Sequence, residues 1–298
     1  MASFSAWIDA FRLRTLPLAL SSVFLGALIA YSDGMFSVSV GILSVTTTLF
    51  LQISSNLAND YGDAKSGKDN ADRVGPMRSV QGGGISLVEM KRMTIVFVIL
   101  SLISGLALIY CANINFGYSI LFFVMGIGAI AAAINYTVGK NPFGYIGWGD
   151  FFVFVFFGLT GVVGSYYLHT GIFSISILLP ASSVGMLSAA VLNLNNLRDR
   201  VGDKKSGKRT LVVVIGAKWA TAYHVFLLIG AISLALIYIY INYISLYQFL
   251  FLLITPILIF DIHKVVFNKE PYKLDSELKR IAIATLLFSI LFGVGLIL

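Results

Sequence analysis

The sequence SNLANDYGDAKSGKD at residues 55–69 occurs a second time, in altered form, as NNLRDRVGDKKSGKR at residues 195–209. Eight of the fifteen paired positions are identical, and each copy directly follows a long apolar run. Each copy therefore lies where an apolar helix meets water. Gly67 and Gly207 are placed to end these helices as C-terminal glycines, and basic residues follow each of them at once.

Each copy places carboxylates and amides at helical spacing. If the helix continues through the first copy, Asn56, Asp60 and Asp63 lie along one face at positions i, i+4 and i+7. Asn59 and Asp63 form a further i, i+4 pair. The second copy repeats the pattern with Asn196, Asp199 and Asp203. Two acidic faces beside basic residues indicate a site for a divalent metal ion and a phosphate-bearing ligand.

The composition excludes an ordinary soluble domain. The chain is 58% hydrophobic and only 12% charged, with a mean hydropathy of +0.89. A membrane-spanning helix needs about 20 mostly apolar residues, and continuous runs of this kind do not resemble the alternating strands of a membrane barrel. We predict an all-α bundle of nine transmembrane helices near residues 16–31, 37–58, 92–112, 117–138, 150–168, 172–194, 212–241, 246–262 and 280–298.

The basic residues predict the topology. A net charge of +7 would suggest nucleic acid in a soluble protein, but with nine spans all 21 Lys and Arg residues fall on one side of the membrane. The intervening loops at 32–36, 113–116, 169–171 and 242–245 contain none. This positive-inside pattern predicts an N-in, C-out protein and no nucleic-acid partner. Residues 1–30 resemble a signal peptide, but the span count requires this helix.

The loop after the first copy is about thirty residues long, and loops of that length are usually functional or disordered. It mixes carboxylates and cations, including Asp69, Asp72, Arg73 and Arg78. The mixture favours a lid that closes over a ligand, and a solvated charge cluster is the alternative. In span five, the run FFVFVFFG at 151–158 either lines a slot for an apolar chain or packs against lipid and neighbouring helices.

The clustered acidic residues predict metal-assisted chemistry on a phosphate-bearing ligand. Clustered carboxylates at span ends repel one another, and Mg²⁺ relieves that repulsion by taking one or two of them together with water and substrate phosphate. Lys and Arg then cover the remaining phosphate oxygens. Neutralising a departing diphosphate is electrostatic catalysis of bond ionisation.

At this point the sequence resembles the UbiA-type intramembrane aromatic prenyltransferases, over the whole chain. That family has nine transmembrane helices and two Asp-rich motifs after helices two and six, here NDYGD at 59–63 and DRVGD at 199–203. Further segments are similar to the members that prenylate 1,4-dihydroxy-2-naphthoate in menaquinone synthesis. They are RTLP (14–17), NLANDYGDAKSGKDNADRVGP (56–76), YTVGKNPFGYIGWGD (136–150), FFGLTG (156–161) and NNLRDRVGDKKSGKRTL (195–211).

The resemblance implies a reaction and a set of site residues. Two Mg²⁺ ions bind the diphosphate group of a polyprenyl diphosphate and assist its departure, which leaves an allylic cation. The naphthoate ring attacks that cation, and carbon dioxide leaves. The implied catalytic metal ligands are Asp60, Asp63, Asp199 and Asp203, supported by Asn56, Asn59 and Asn196. The implied diphosphate ligands are Lys68, Arg73, Lys140, Lys208 and Arg209. Candidates for the acceptor site or lid are Arg14, Asp69, Asp72, Arg78 and Tyr136.

The resemblance also implies one transmembrane prenyltransferase domain over residues 1–298, in the bacterial cytoplasmic (inner) membrane, with its active site facing the cytoplasm. Two positions depart from the family pattern. Gly67 stands where many relatives have a further Asp, which Asp69 could replace, and Ile146 stands where Arg is expected. Two alternatives stay open: a different acceptor (hydroxybenzoate, homogentisate or haem), and a cation-coupled transporter, since repeated halves with acids at equivalent places are typical of transporters.

Overall fold

The computed structural model describes residues 2–67, 78–139, 142–268 and 270–298, and within these ranges the chain is helical, without a β-strand. The α-helices of this part of the chain are α1 (Phe4–Phe11), α2 (Leu16–Ser32), α3 (Val38–Lys65), α4 (Leu87–Ala112), α5 (Phe116–Asn135), α6 (Gly149–Val153), α7 (Gly164–Thr170), α8 (Leu178–Lys205), α9 (Leu211–Ile241), α10 (Thr255–Val266) and α11 (Leu274–Ile297). A π-helical stretch, Phe154–Val163, joins α6 to α7. A 3₁₀ stretch, Leu246–Ile254, leads into α10.

The described residues contain nine helical segments that are long and apolar enough to cross a membrane. This confirms the predicted all-α architecture of nine spans. Three segments join longer pieces: α1 with α2 (Phe4–Ser32), α6 with α7 (Gly149–Thr170), and the 3₁₀ stretch with α10 (Leu246–Val266). In two more, a 3₁₀ turn precedes α8 (Ile175–Lys205) or α11 (Pro271–Ile297). The chain is therefore a multi-pass membrane protein.

The two Asp-rich motifs form the last turns of α3 and α8, beyond the predicted apolar runs that end at residues 58 and 194, as expected if the helix continues through each copy. Neither copy contains proline, and the glycines inside the motifs, Gly62 and Gly202, are tolerated within a helix. Both helices then end alike: Ser66 N–H donates to Gly62 O at 3.0 Å, and Ser206 N–H donates to Gly202 O at 2.9 Å. The glycine that follows each serine has a positive φ, 66° at position 67 and 77° at position 207.

Helix α8 is the centre of the bundle, and it packs against α9, α11 and the π-helical stretch. Its inner residues, such as Val184, Leu187 and Leu194, belong to a large core shared with α9 and α11. On the other side, α3 packs against α4, and α5 packs against both. A cavity lies between these two halves of the bundle.

Candidate active site

One cavity of about 970 Å³ contains the residues of both Asp-rich motifs. Helix α3 contributes one face to it, from Ser44 to Asp63. These residues are 19 positions apart, so this wall extends for about 28 Å at 1.5 Å per residue. Asp199 and Asp203 of α8 line the same cavity as Asp60 and Asp63. The two copies of the repeat therefore face one space.

The carboxylates of the first copy are buried and surrounded by cations. Asp60 accepts hydrogen bonds from Arg12 and from Nη1 of Arg78. Asp63 accepts hydrogen bonds from Nη2 of Arg78 at 2.7 Å, from Nζ of Lys208 at 3.0 Å and from the hydroxyl of Tyr145. Arg78 thus bridges both acids. A buried ion pair of this kind is costly to break on one side only.

Backbone and amide contacts hold the end of α1 against α3. Arg12 has a left-handed backbone with φ 51° at the C-terminus of α1, which is uncommon for a residue with a side chain. The Asn56 amide donates to Phe11 O at 2.9 Å and to Thr15 Oγ1 at 3.0 Å. Asn56 therefore fixes the segment that carries Arg12.

The segment between α5 and α6 positions Tyr145. A short 3₁₀ turn, Phe143–Tyr145, is held against Tyr136, where a Cβ on Gly144 would lie 2.6 Å from Tyr136 O. Arg209 N–H donates to Tyr145 O at 2.7 Å, which ties this turn to the chain after α8. Nζ of Lys208 lies 4.8 Å from the centre of the Tyr145 ring.

Both tyrosines remain protonated in this environment. Burial, the Asp63 charge and the hydrogen bond to Asp63 raise the pKa of Tyr145 well above its ordinary value. Burial and the charge of Asp150 raise the pKa of Tyr136 in the same direction. The Tyr145 hydroxyl is therefore a hydrogen-bond donor to Asp63 at any physiological pH.

The second copy has different partners. Asp199 accepts hydrogen bonds from Nε of Arg198 at 3.0 Å and from Nη2 of Arg198 at 2.7 Å. Arg198 is fully buried; its Nη2 also donates to Asn195 Oδ1 at 2.9 Å, and its Nη1 donates to Asp275 Oδ1 of α11 at 2.5 Å. Asp203 is half-buried on the cavity wall.

Most of the predicted site residues that the structure describes share the cavity wall: Asn56, Asn59, Asp60, Asp63, Arg78, Tyr136, Asn196, Asp199, Asp203, Lys208 and Arg14. Asn59 Oδ1 accepts a hydrogen bond from Thr137 at 3.2 Å. Arg14 lies 3.4 Å from Asp275 at the rim. The Arg209 side chain is exposed and does not line the cavity; its backbone N–H donates to Tyr145 O. Lys68, Asp69, Asp72, Arg73 and Lys140 lie outside the described residues.

Several contacts of the site were not predicted as such. Arg12, Tyr145 and Arg198 contact the motif acids directly, and Asp275 contacts Arg198. Arg198 was counted only with the basic residues of the inner side, and Tyr145 lies in a segment quoted for its resemblance. Only Arg198 has a local signal, since it adjoins Asp199; the other three approach from distant parts of the chain.

The donor set suits a hard divalent cation. No group of three or more His, Cys, Asp and Glu side chains in the described ranges is arranged as a ready metal cage, because cations lie between the acids. Mg²⁺ requires less than a cage, since it usually takes one or two carboxylates and completes its shell with water and phosphate. The carboxylates of Asp60, Asp63, Asp199 and Asp203 on the wall of one cavity meet that requirement.

The remainder of the cavity wall is largely apolar. Phe152, Phe156 and Phe157, from the run predicted either to line a slot or to pack, line its wall. The π-helical geometry leaves Phe157 O to accept a hydrogen bond from Ser22 Oγ at 2.5 Å. Leu108, Leu168 and Phe122 also line the wall, and they pack in one apolar cluster with Val40. The cavity therefore has a charged region at the Asp-rich motifs, and the rest of its wall is largely apolar.

The chain belongs to the UbiA prenyltransferase family, whose model matches residues 19–296. It is 42% identical over 293 residues to the 1,4-dihydroxy-2-naphthoate octaprenyltransferase of Escherichia coli (strain K12), covering 98% of this chain and 95% of the relative. It is 43% identical over 293 residues to the Haemophilus influenzae protein of the same name, with the same coverage.

Solved structures share the fold. The apo structure of a UbiA homolog from Aeropyrum pernix K1 has a TM-score of 0.70 and 18% identity, covering 96% of this chain and 98% of that one. A UbiA homolog from Archaeoglobus fulgidus bound to DMAPP and Mg²⁺ has a TM-score of 0.54 and 21% identity, with the same coverage.

Proposed function

We propose that this protein transfers a polyprenyl group from polyprenyl diphosphate to 1,4-dihydroxy-2-naphthoate, with loss of diphosphate and carbon dioxide, giving demethylmenaquinol, the reduced form of demethylmenaquinone, in menaquinone biosynthesis. The observation that carries the proposal is one cavity whose wall contains the acids of both repeats together with aromatic rings and many apolar side chains. The names of the two bacterial relatives, at 42% and 43% identity, support the naphthoate acceptor.

The proposal assigns Asp60, Asp63, Asp199 and Asp203 to two Mg²⁺ ions, with Asn56, Asn59 and Asn196 in support. When bound, Mg²⁺ would neutralise the charge that develops on the departing diphosphate. The A. fulgidus homolog bound to DMAPP and Mg²⁺ supports the use of a divalent metal in this fold. Asn56 also has a structural role, since its amide holds the α1 segment.

The cations of the first copy bind the diphosphate in this proposal. Arg12, Arg78 and Lys208 now pair with Asp60 and Asp63. They are therefore within reach of any phosphate oxygen beside these acids, and Arg can bind two such oxygens at once. Tyr145 keeps Asp63 oriented by donating its hydroxyl proton in a hydrogen bond.

The apolar wall protects the reacting carbon. The rings of Phe152, Phe156 and Phe157 exclude water from the allylic cation, which water would otherwise capture. Their faces also attract a cation through the ring quadrupole. The prenyl tail occupies the apolar body of the cavity, where each buried methylene gains about 0.8 kcal/mol. Tyr136 and Arg14, which line the cavity, are the described candidates for the acceptor side.

The whole chain forms one transmembrane prenyltransferase domain in this proposal, and the acids face the cytoplasm of a bacterial cytoplasmic membrane. The one-sided distribution of the 21 Lys and Arg residues supports this orientation.

The test is a product assay with membranes that contain the protein, labelled polyprenyl diphosphate and a panel of acceptors. We expect a prenylated product and release of the acceptor carboxyl carbon as CO₂ with 1,4-dihydroxy-2-naphthoate. Prenylation of 4-hydroxybenzoate or homogentisate, and none of the naphthoate, would overturn the acceptor. Mg²⁺-driven movement of the donor across the membrane without product would support the transporter alternative instead.

A further inference from the structure

The single positive charge of Arg198 is shared between two carboxylates, Asp199 and Asp275, whose side chains differ in solvent exposure. It binds Asp199 through two nitrogens at 3.0 and 2.7 Å and Asp275 through the third at 2.5 Å. The Arg198 side chain is 1% exposed and that of Asp199 is 9% exposed, whereas that of Asp275 is 40% exposed. Asp275 belongs to α11, far from both Asp-rich motifs in sequence.

A buried guanidinium needs a negative partner. Removing one side of a buried ion pair costs several kcal/mol, because the remaining charge has lost its solvation and its compensation. Any cation that takes the Asp199 carboxylate must draw it away from Arg198. That exchange is feasible only if another anion continues to compensate Arg198, and Asp275 is the other carboxylate that contacts it in the described structure.

We propose that Asp275 is a positioning residue for the second metal-binding carboxylate: by retaining Arg198, it frees Asp199 to bind the metal–diphosphate complex. The inference rests on the proposed function, since it requires Asp199 to bind a metal. Asp275 touches neither the reacting atoms nor the metal in this account. Its effect reaches the site through Arg198, as second partners of metal ligands usually act.

The contact between Arg14 and Asp275 at the rim of the cavity is weaker than the contact between Arg198 and Asp275. Arg14 also approaches Asp275, at 3.4 Å, but both side chains are about 40% exposed. Exposed pairs of this kind contribute little. The buried contact with Arg198 therefore dominates what Asp275 does.

The experiment measures metal binding without turnover. Purified protein in detergent is titrated with Mn²⁺, as a paramagnetic probe for Mg²⁺, in the presence of geranyl S-thiolodiphosphate, a donor analogue that ionises poorly. Free Mn²⁺ is followed by electron paramagnetic resonance. We expect Asp275→Asn to raise the Mn²⁺ dissociation constant about ten- to hundredfold, and Asp275→Glu, which keeps the charge, to recover most of the loss.

The control is Glu270→Gln. It removes the same charge from an exposed acid just before α11, which pairs with Lys273 at 2.9 Å and does not contact Arg198. It should bind Mn²⁺ as the wild type does. Because Asp275 is partly exposed, Asp275→Asn should fold, and Asp275→Ser provides a second variant without the charge. Thermal unfolding in detergent checks both.

The outcomes separate the two proposals. Wild-type protein that binds no Mn²⁺ with the analogue overturns the proposed metal and this inference together. Wild-type binding that is unchanged in Asp275→Asn and Asp275→Ser overturns the inference alone. In an Arg198→Met background, Asp275→Asn should have no further effect; a further loss there would also overturn it, because Asp275 would then act by another route.

Discussion

The two copies of the repeat have nearly the same local structure and different surroundings. In both, the serine hydroxyl at the end of the helix donates back to the carbonyl of the last Asp, at 3.2 Å in the first copy and 3.1 Å in the second. In the first copy, however, the acids bind cations from three distant segments and a tyrosine from a fourth. In the second, Asp199 binds its own neighbour, Arg198.

Because the two copies have different ion-pair partners, the same sequence motif has a different structural role in each copy. The acids of the first copy hold together the end of α1, the loop before α4 and the segment after α8 through Arg12, Arg78 and Lys208. Those contacts form only when the bundle is assembled. The second copy carries its counter-charge on the same helix and is anchored from α11. We therefore expect the first copy to order the mouth of the cavity and the second to provide a fixed acidic wall.

Removing divalent cations should have the largest effect, because both copies depend on them in the proposed mechanism. Excess chelator should abolish prenyl transfer in membranes, and added Mg²⁺ should restore it. The measurement is product formation from labelled donor. Full activity in excess chelator would contradict the assignment of either copy to a metal.

Asp63→Asn should cause the next largest loss, of about 10²–10³-fold in kcat. Asp63 accepts hydrogen bonds from Arg78, Lys208 and Tyr145, so its replacement removes the carboxylate that these two cations share. The rate is measured with saturating donor, and thermal unfolding in detergent shows whether the bundle is intact. A folded variant with near wild-type turnover would show that the acid merely balances charge.

Arg78→Gln should raise the KM for polyprenyl diphosphate about ten- to hundredfold, since a buried hydrogen bond to a charged group contributes about 1.5–3 kcal/mol. Arg78 contacts both acids of the first copy, so it tests the first copy specifically. The matched control is Lys204→Gln, an exposed cation in the last turn of α8. Equal effects of the two changes would indicate a general loss of positive charge.

Tyr145→Phe should have the smallest effect, about tenfold or less in kcat/KM, because it removes one hydrogen-bond donor from Asp63. Its raised pKa keeps the hydroxyl protonated above the ordinary range of tyrosine, so Tyr145 adds no loss of activity as the pH rises to about 10. The pH profiles of the wild type and the variant should therefore run parallel. A loss of activity at high pH that occurs only in the wild type would contradict the conclusion that the Tyr145 hydroxyl stays protonated.

The sequence predicted the nine-span architecture because apolar runs and one-sided basic residues are strong local signals. It also predicted that the helices could continue through both motifs and end at Gly67 and Gly207, which are placed as C-terminal glycines. It could not predict which cation meets which acid. Arg12, Arg78 and Asp275 reach the site through the packing of α1, the loop before α4 and α11, and no short-range spacing encodes that packing. Hydropathy likewise ended the predicted spans early, because polar turns extend α3 and α8 beyond their apolar parts.

The central claim is that the two copies serve one site. A double-mutant cycle with Asp63→Asn, Asp203→Asn and the combined variant tests it most directly, with kcat/KM for the donor as the measured quantity. Residues that act as a unit are strongly non-additive. We therefore expect the combined variant to be about as slow as the slower single variant. Losses that multiply in the combined variant would contradict the claim and assign the two acids to independent roles.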